Sequence, residues 1–370
     1  MILSEQDTLY AVGKINEAYG GISRIDDYFR MKKIERLKEI PPTLFGFSHE
    51  DSLFQDFSIH PEDMNFKIVQ PDHSTFNTLL ELVASFTYED APGKQMKLMI
   101  QETTTGKVVG FIKLGSPIIN SKPRNQWLGG VPDLTIFNKR AIMGFIIVPT
   151  QPFGFNYLGG KLLSLICSCH EVREMLNNKY DTEMCLFETT SLYGNIKGTS
   201  QYDGLKPYIR YKGDTESKFL LTLPDFIYHD LHKWFIEKND GEQLIRKGAS
   251  SRKLKIQTKM ISIIKNSLKE HHPVKYTEFV EFIKTRQDVT TQKRFYMSTY
   301  GFENSREVIL GNTDTLVKAE NYDRFSLDSI VAWWRKKASK RYENLKSDGR
   351  LRSKLETWDI NNMDSIDIIR

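Results

Sequence analysis

The sequence predicts an α/β (α+β) protein. One mixed sheet with helices on its faces is followed by a basic, mostly helical C-terminal region. Three observations carry this. Strand-like and helix-like segments alternate between residues 64 and 224, the order expected of a sheet covered by helices. Residues 143–189 read as a strand–loop–helix–strand crossover, the unit that joins parallel strands. Beyond Pro224 alternation gives way to helical spacing, and lysines accumulate.

Taken in order, residues 1–60 form an N-terminal helical appendage. Within it 25–39 has helical periodicity, ended by Pro41 and Pro42, and the acidic, aromatic stretch 46–58 reads as loop. The core spans 61–224. Residues 66–70 alternate as a strand, and Ser74 or Thr75 caps a helix through Leu79, Leu80, Leu82 and Val83. Residues 96–102 and 108–114 pair as a hairpin, with Gly106 able to take positive φ in the turn. A loop with Pro117, Pro123, Gly129, Gly130 and Pro132 follows, and a short segment at 136–140 leads on. Strand 143–148, the turn-rich loop 149–160, a helix over 161–177 and strand 184–189 complete the crossover. Two short strands, 208–211 and 218–223, precede Pro224. The extension spans 225–370. An aromatic helix at 226–237 is expected to pack on the sheet; helices at 256–269 and 277–286 follow. Ser326 is the expected N-cap of a last helix through Leu327, Ile330, Val331, Trp334, Ala338 and Tyr342, ending near Asp348 and Gly349.

At 370 residues, with 39% hydrophobic and 27% charged residues, the chain can bury a sizeable core. No apolar run approaches the roughly 18 residues of a membrane span. The N-terminus lacks a basic region followed by an apolar core, so no secretory signal is expected and the expected location is cytoplasmic, with no membrane partner. Cys167, Cys169 and Cys185 stand in apolar surroundings and read as buried thiols. Cys167-Ser168-Cys169-His170 lacks a second ligand pair for zinc, so no metal is expected. Charge is uneven: residues 226–370 hold 28 basic and 20 acidic side chains, and 246–294 alone hold 13 and 4. Such an excess favours polyanions. The expected nucleic-acid contacts are Arg246, Lys247, Arg252, Lys253 and Lys255, with Arg335, Lys336, Lys337, Lys340 and Arg341 on the last helix.

The 149–160 loop invites comparison with phosphate loops. A nucleotide-triphosphate loop needs Lys directly after the second spaced Gly, then Ser or Thr. Here Gly160 intervenes before Lys161, and Leu162 follows. An acyl-CoA pyrophosphate loop of the GNAT acyltransferases fits better, with backbone N–H groups at a helix start holding the anion. Gln151-Pro152-Phe153-Gly154-Phe155-Asn156 resembles its pattern, although Asn156 stands where a small residue is wanted and Pro152 removes a donor. That resemblance implies a GNAT-like core, with acetyl-CoA or another acyl-CoA held by Gln151, Gly154, Asn156, Gly159, Gly160 and Lys161. Glu188 would be a catalytic base and Tyr202 an acid. The alternatives are a structural carboxylate at Glu188 and aromatic loop residues packed on the core. Asp133, Glu183, Glu188, Asp203 and Asp214 fit no nuclease spacing.

A second resemblance runs through residues 108–223. It rests on Val109-Gly110-Phe111-Ile112 with Gly115, Trp127-Leu128-Gly129, and Asn138-Lys139-Arg140 before Ile146-Ile147-Val148-Pro149. It continues with Asn156-Tyr157-Leu158-Gly159, Leu186-Phe187-Glu188-Thr189, Gly198-Thr199 and Tyr202. These motifs resemble the DruA-type proteins of Druantia anti-phage systems, a domain also fused to transposases and carried by phages. Gly159 stands where Ala is usual, the loop is longer, and Tyr211-Lys212-Gly213 replaces a Gly-Arg turn. The resemblance implies a nucleic-acid or mobile-element setting, with protein partners in a defence, transposition or phage complex. The leading expectation is a nucleic-acid-associated protein. The alternatives are an acyl-CoA-dependent acyltransferase and a non-catalytic interaction protein.

Overall fold

The computed structural model describes residues 1–39, 47–86, 93–191, 200–215, 221–246, 248, 252–289, 294–361 and 366. The chain forms two compact units, each built from two stretches of sequence. One joins Met1–Glu39 to Ser217–Thr291, the other Ile40–Glu216 to Gln292–Arg370. The regions 1–60 and 225–370 are therefore each shared between the units.

In chain order the helices are α1 (Glu5–Tyr19), α2 (Ile25–Glu39), α3 (Phe47–Glu50), α4 (His73–Val83), α5 (Lys122–Leu128), α6 (Leu134–Arg140) and α7 (Phe153–Tyr157). Then come α8 (Gly159–Ile166), α9 (His170–Tyr180), α10 (Asp225–Glu237), α11 (Arg252–His271), α12 (Pro273–Asp288), α13 (Ser305–Ile309) and α14 (Leu327–Ser347). The strands are β1 (Phe66–Val69), β2 (Gln95–Glu102), β3 (Val108–Gly115), β4 (Ala141–Pro149), β5 (Leu186–Ser191), β6 (Arg210–Asp214) and β7 (Arg294–Ser298).

The strands make one mixed sheet in the order β1-β2-β3-β4-β5-β7-β6. β4 and β5 are parallel and the other neighbours antiparallel. A parallel pair needs a crossover, which α7, α8 and α9 supply. The β2–β3 hairpin closes through Gly106 at φ 69°, and the Glu102 carboxylate accepts from the N–H groups of Thr104 and Thr105 at 2.9 and 2.7 Å. β3 is buried along its whole length, as a central strand covered on both faces should be. α8 lies against β3 and β4, and α14 lies over α7 and α8. A Cβ at Gly110 would overlap Leu163 and come within 3.0 Å of the Val148 carbonyl, so glycine sets how closely α8 approaches β3. α4 covers another face with Phe76, Leu79, Leu80 and Val83 against Met99, Phe111 and Ile146.

The helix expected over 161–177 is broken. α8 stops at Ile166; Ser168 Oγ donates to the Leu165 carbonyl at 2.8 Å, and Cys169 Sγ accepts from the Val172 N–H at 3.4 Å to start α9. The cap of α4 is Asp72, accepting from the Thr75 N–H at 2.9 Å, in place of Ser74 or Thr75. The Pro/Gly loop contains α5, closed by Gly129 at φ 76°, and α6, capped by Asp133. Ser326 caps α14 as expected.

In the other unit α1, α10 and α12 pack against α11. The 226–237 helix expected on the sheet is thus α10, in the unit without the sheet. Gln257 of α11, buried, donates to the Leu221 carbonyl at 2.9 Å and to Tyr19 Oη at 3.0 Å, and accepts from the Leu223 N–H at 2.8 Å. Of the expected strand 218–223, residues 218–220 lie outside the described residues. Leu221 and Leu223 give their backbone groups to Gln257 instead of to a strand.

Candidate functional site

The loop after β4 is built inward. The Thr150 N–H donates to the Val109 carbonyl at 2.9 Å, and those of Gly154 and Asn156 donate to Thr150 and Pro152 carbonyls at 2.8 Å. The Phe155 N–H goes to Gln151 Oε1 at 3.0 Å and that of Leu158 to Gly154. Those of Lys161 and Leu162 go to the Leu158 carbonyl at 2.9 and 3.2 Å. An acyl-CoA pyrophosphate requires N–H groups turned outward. These are turned in.

Aromatic rings occupy the space above the start of α8. Phe153 and Tyr157 are fully buried. The Phe153 ring lies 5.8 Å from Phe54, 6.1 Å from Phe66 and 6.3 Å from Trp334. Tyr157 stacks on Tyr342 at 5.5 Å and donates to the Phe57 carbonyl at 2.8 Å. Trp334 Nε1 donates to the Tyr157 carbonyl at 2.8 Å. A Cβ at Gly154 would meet the Gln151 amide, one at Gly159 the Phe153 ring, and one at Gly160 the Gln201 side chain. Lys161, half-buried, donates to the Asp203 carbonyl, and burial lowers its pKa. Buried Asn156 holds Arg352 on both sides, donating Nδ2 to its carbonyl at 2.8 Å and accepting its N–H at 3.1 Å. The six loop residues read from sequence are thus together in space, joined by packing and capping.

β4 and β5 pair only from Ala141↔Leu186 to Gly144↔Thr189. The rest of β4 stays with β3, and the end of β5 pairs with β7. Gln201 and Tyr202 enter this wedge. Gln201 Nε2 donates to the Ile147 carbonyl at 3.3 Å, and Thr189 Oγ1 lies 3.0 Å from the Gly144 carbonyl and 3.4 Å from Tyr202 Oη.

Glu188 and Tyr202 do not face each other. Successive strand residues point to opposite faces. Thr189 reaches Tyr202, and Glu188 turns the other way, onto Arg124 of α5. Arg124 Nη1 lies 3.0 and 3.3 Å from the two carboxylate oxygens, with both side chains fully buried. Burial pushes the Glu188 carboxyl up, to about 7, against the pull of Arg124. Arg124 also donates to the carbonyls of Ile118 and Ile119 at 3.0 and 2.7 Å and lies 4.3 Å from the Phe137 ring centre. Sequence reading missed Arg124; a cation in the Pro/Gly loop carried no signal of burial. Burial likewise raises the Tyr202 hydroxyl to about 12. All three cysteines are buried, and burial raises each thiol. His170 stacks on Tyr322 at 4.0 Å. Among the described residues no cluster of His, Cys, Asp and Glu could hold a metal ion.

Asp203, beside Tyr202, organises the other mouth of the wedge. Its carboxylate accepts from the Ser200 N–H at 2.9 Å, from Arg294 at 3.0 Å and from the Tyr296 hydroxyl at 2.8 Å. Burial alone would raise its pKa; these donors outweigh burial and hold it below 3.8. A depressed carboxyl contributes stability above its unfolded pKa and loses it as pH falls through the folded value. Asp203→Asn should therefore cost stability at neutral pH, with the gap to the parent closing below about pH 4. Urea unfolding at pH 7 and pH 3 measures it; equal gaps at both would refute it.

The basic residues divide. Arg335 donates to the Met64 carbonyl at 2.8 and 3.0 Å and Arg341 to that of Phe155 at 3.2 Å, while Lys336, Lys337 and Lys340 are exposed. In the other unit Arg246, Arg252 and Lys255 are exposed. Lys253 pairs with Asp225, and burial lowers it to about 8. Lys247 lies outside the described residues. α11 extends the expected set: Lys259, Ser262, Asn266 and Lys269, which sequence reading did not name, are exposed with the expected Arg252 and Lys255, at steps of three and four, opposite buried Ile256, Met260, Ile264 and Leu268. Such spacing is one helix face.

Among the described residues no helix is long and apolar enough to cross a membrane. Residues 45–202 match the family model described as Druantia protein DruA. The match takes in β1 to β5, Arg124, the inward-built loop, Glu188 and Tyr202; β6, β7, α11 and α14 lie outside it. No curated protein and no solved structure matches the chain.

Proposed function

We propose, this being a DruA-type protein through residues 45–202, that the chain serves as a component of a phage-defence system and engages nucleic acid through the exposed face of α11. The observation that carries this is the α11 stripe. Four cations and two small polar side chains follow one another from Arg252 to Lys269 with no acid between them on that face. At 1.5 Å per residue the stripe is about 26 Å long, enough to follow several phosphates. Lysines and arginines that meet phosphates position a backbone and read no bases, so the contact is sequence-independent. Lys336, Lys337 and Lys340 of α14 offer a second exposed group in the sheet-bearing unit. The GNAT-like reading is kept for the layout of the core alone. Its acyl-CoA part receives no support from a loop whose N–H groups at Gly154, Phe155, Asn156, Leu158, Lys161 and Leu162 are used internally, or from a wedge entered by Gln201 and Tyr202.

A filter-binding salt series tests the reading. The slope of log affinity against log salt should be about −3.6 for duplex DNA, since each of four neutralised phosphates contributes about −0.9. Lys255→Glu with Lys259→Glu and Lys269→Glu should flatten the slope and weaken binding at least tenfold at low salt. A flat slope in the parent, or a variant that binds like it, sinks the proposal.

A further inference from the structure

We propose that the 151–156 loop, with Leu82 and Glu50 beside it, is a receptor for an extended peptide whose occupant is the chain's own segment 350–358. This rests on no part of the nucleic-acid reading.

The segment leaves α14 through Gly349, at φ 66°, and runs back across the loop. Three of its N–H groups are received by three different parts of the receptor. That of Arg352 goes to Asn156 Oδ1 at 3.1 Å, that of Glu356 to the Gln151 carbonyl at 2.9 Å, and that of Trp358 to the Leu82 carbonyl at 2.8 Å. Asn156 returns a bond to the Arg352 carbonyl at 2.8 Å, so one side-chain amide clamps both polar groups of one residue. Gln151 and Glu356 form an isolated antiparallel bridge. Main-chain bonds of this kind give affinity, and side-chain pockets give choice of sequence.

The side-chain part is equally specific. Arg352 lies 4.5 Å from the centre of the Phe155 ring, which Arg341 holds at 4.8 Å. Thr357 Oγ1 donates to the Glu50 carboxylate, and Trp358 is fully buried. Arg352 and Glu356 pair at 2.7 Å within the segment. The site therefore takes an extended peptide of the form Arg-x-x-x-Glu-x-Trp. From Arg350 to Trp358 the segment belongs to no helix or strand beyond the single Gln151–Glu356 bridge, so it can leave the loop and return without breaking a regular element. A partner protein presenting the same pattern competes for the site.

Hydrogen exchange on the full chain tests this. The amides of Arg352, Glu356 and Trp358 should exchange at one common rate, at least tenfold faster than those of β4. Asn156→Ala should speed all three about tenfold and leave the α11 amides unchanged. A labelled peptide of residues 349–361 should bind the full-length Trp358→Ala variant saturably, bind the parent at least tenfold more weakly, and lose binding when Asn156→Ala is added. Exchange at the β4 rate would make the segment part of the core and overturn the proposal. So would absence of peptide binding by Trp358→Ala when its β4 and α11 amides are protected as in the parent.

Discussion

Arg124→Leu is expected to destabilise the sheet-bearing unit by about 3–5 kcal/mol, because it leaves the Glu188 carboxylate buried without its cation. The pair is wholly enclosed, so water cannot take over from the guanidinium. Loss of Arg124 also frees the Ile118 and Ile119 carbonyls that it tethers ahead of α5. Without the cation nothing opposes burial at Glu188, and its carboxyl moves further up from about 7 and takes a proton at neutral pH. The double variant Arg124→Leu with Glu188→Leu should recover much of the loss, since an apolar pair of similar volume carries no desolvation cost. Urea unfolding of the two variants measures both numbers. A single-variant loss below about 1 kcal/mol would mean that the pair is wet.

Trp334→Ala should cost about as much, 3–5 kcal/mol, by a different route. Trp334 is fully buried, 5.1 Å from the Phe66 ring and stacked with Phe153. Its removal opens a cavity beneath the loop and strands the Tyr157 carbonyl that its Nε1–H satisfies. Trp334→Phe should cost roughly half as much, keeping ring contact and losing the hydrogen bond. A loop held by this ring should loosen with it: protease cleavage near residues 151–158 is expected to rise in the alanine variant. Unchanged cleavage with full loss of stability would place the loop's order elsewhere.

Much of the fold was legible, for physical reasons that differ by element. The hairpin announced itself because Gly106 is the residue that a turn at positive φ wants, with alternation on either side. α14 was readable from its Ser326 cap to its Gly349 stop. β7 was missed: Arg294-Phe295-Tyr296-Met297-Ser298 is short, sits among helices, and becomes a strand because β5 and β6 offer it edges from far away in sequence. The break between α8 and α9 was missed because Ile166-Cys167-Ser168-Cys169 is apolar enough to continue a helix. The local bonds of Ser168 and Cys169 decide it. At the site, the loop residues were found as a group and their use was not. Gly154 and Gly159 suit an anion cradle and an inward-packed loop equally well by type. The contacts that decide between them come from Trp334, Tyr342 and Arg352, nearly two hundred residues on.

The interleaving of the two units in sequence bears on how the chain is made. α1 emerges first, yet the helix that packs against it, α11, is synthesised only after strands β1 to β6. β6 itself has no partner until β7 appears, because β7 lies between it and β5. During synthesis the nascent chain therefore exposes the apolar side of α1 and an unpaired strand at the same time, and both are covered within the last third. Long closures of this kind slow folding and lengthen the exposure of sticky surface. A ribosome stalled anywhere before the end of α12 would carry two incomplete cores instead of one finished domain and one unfinished one.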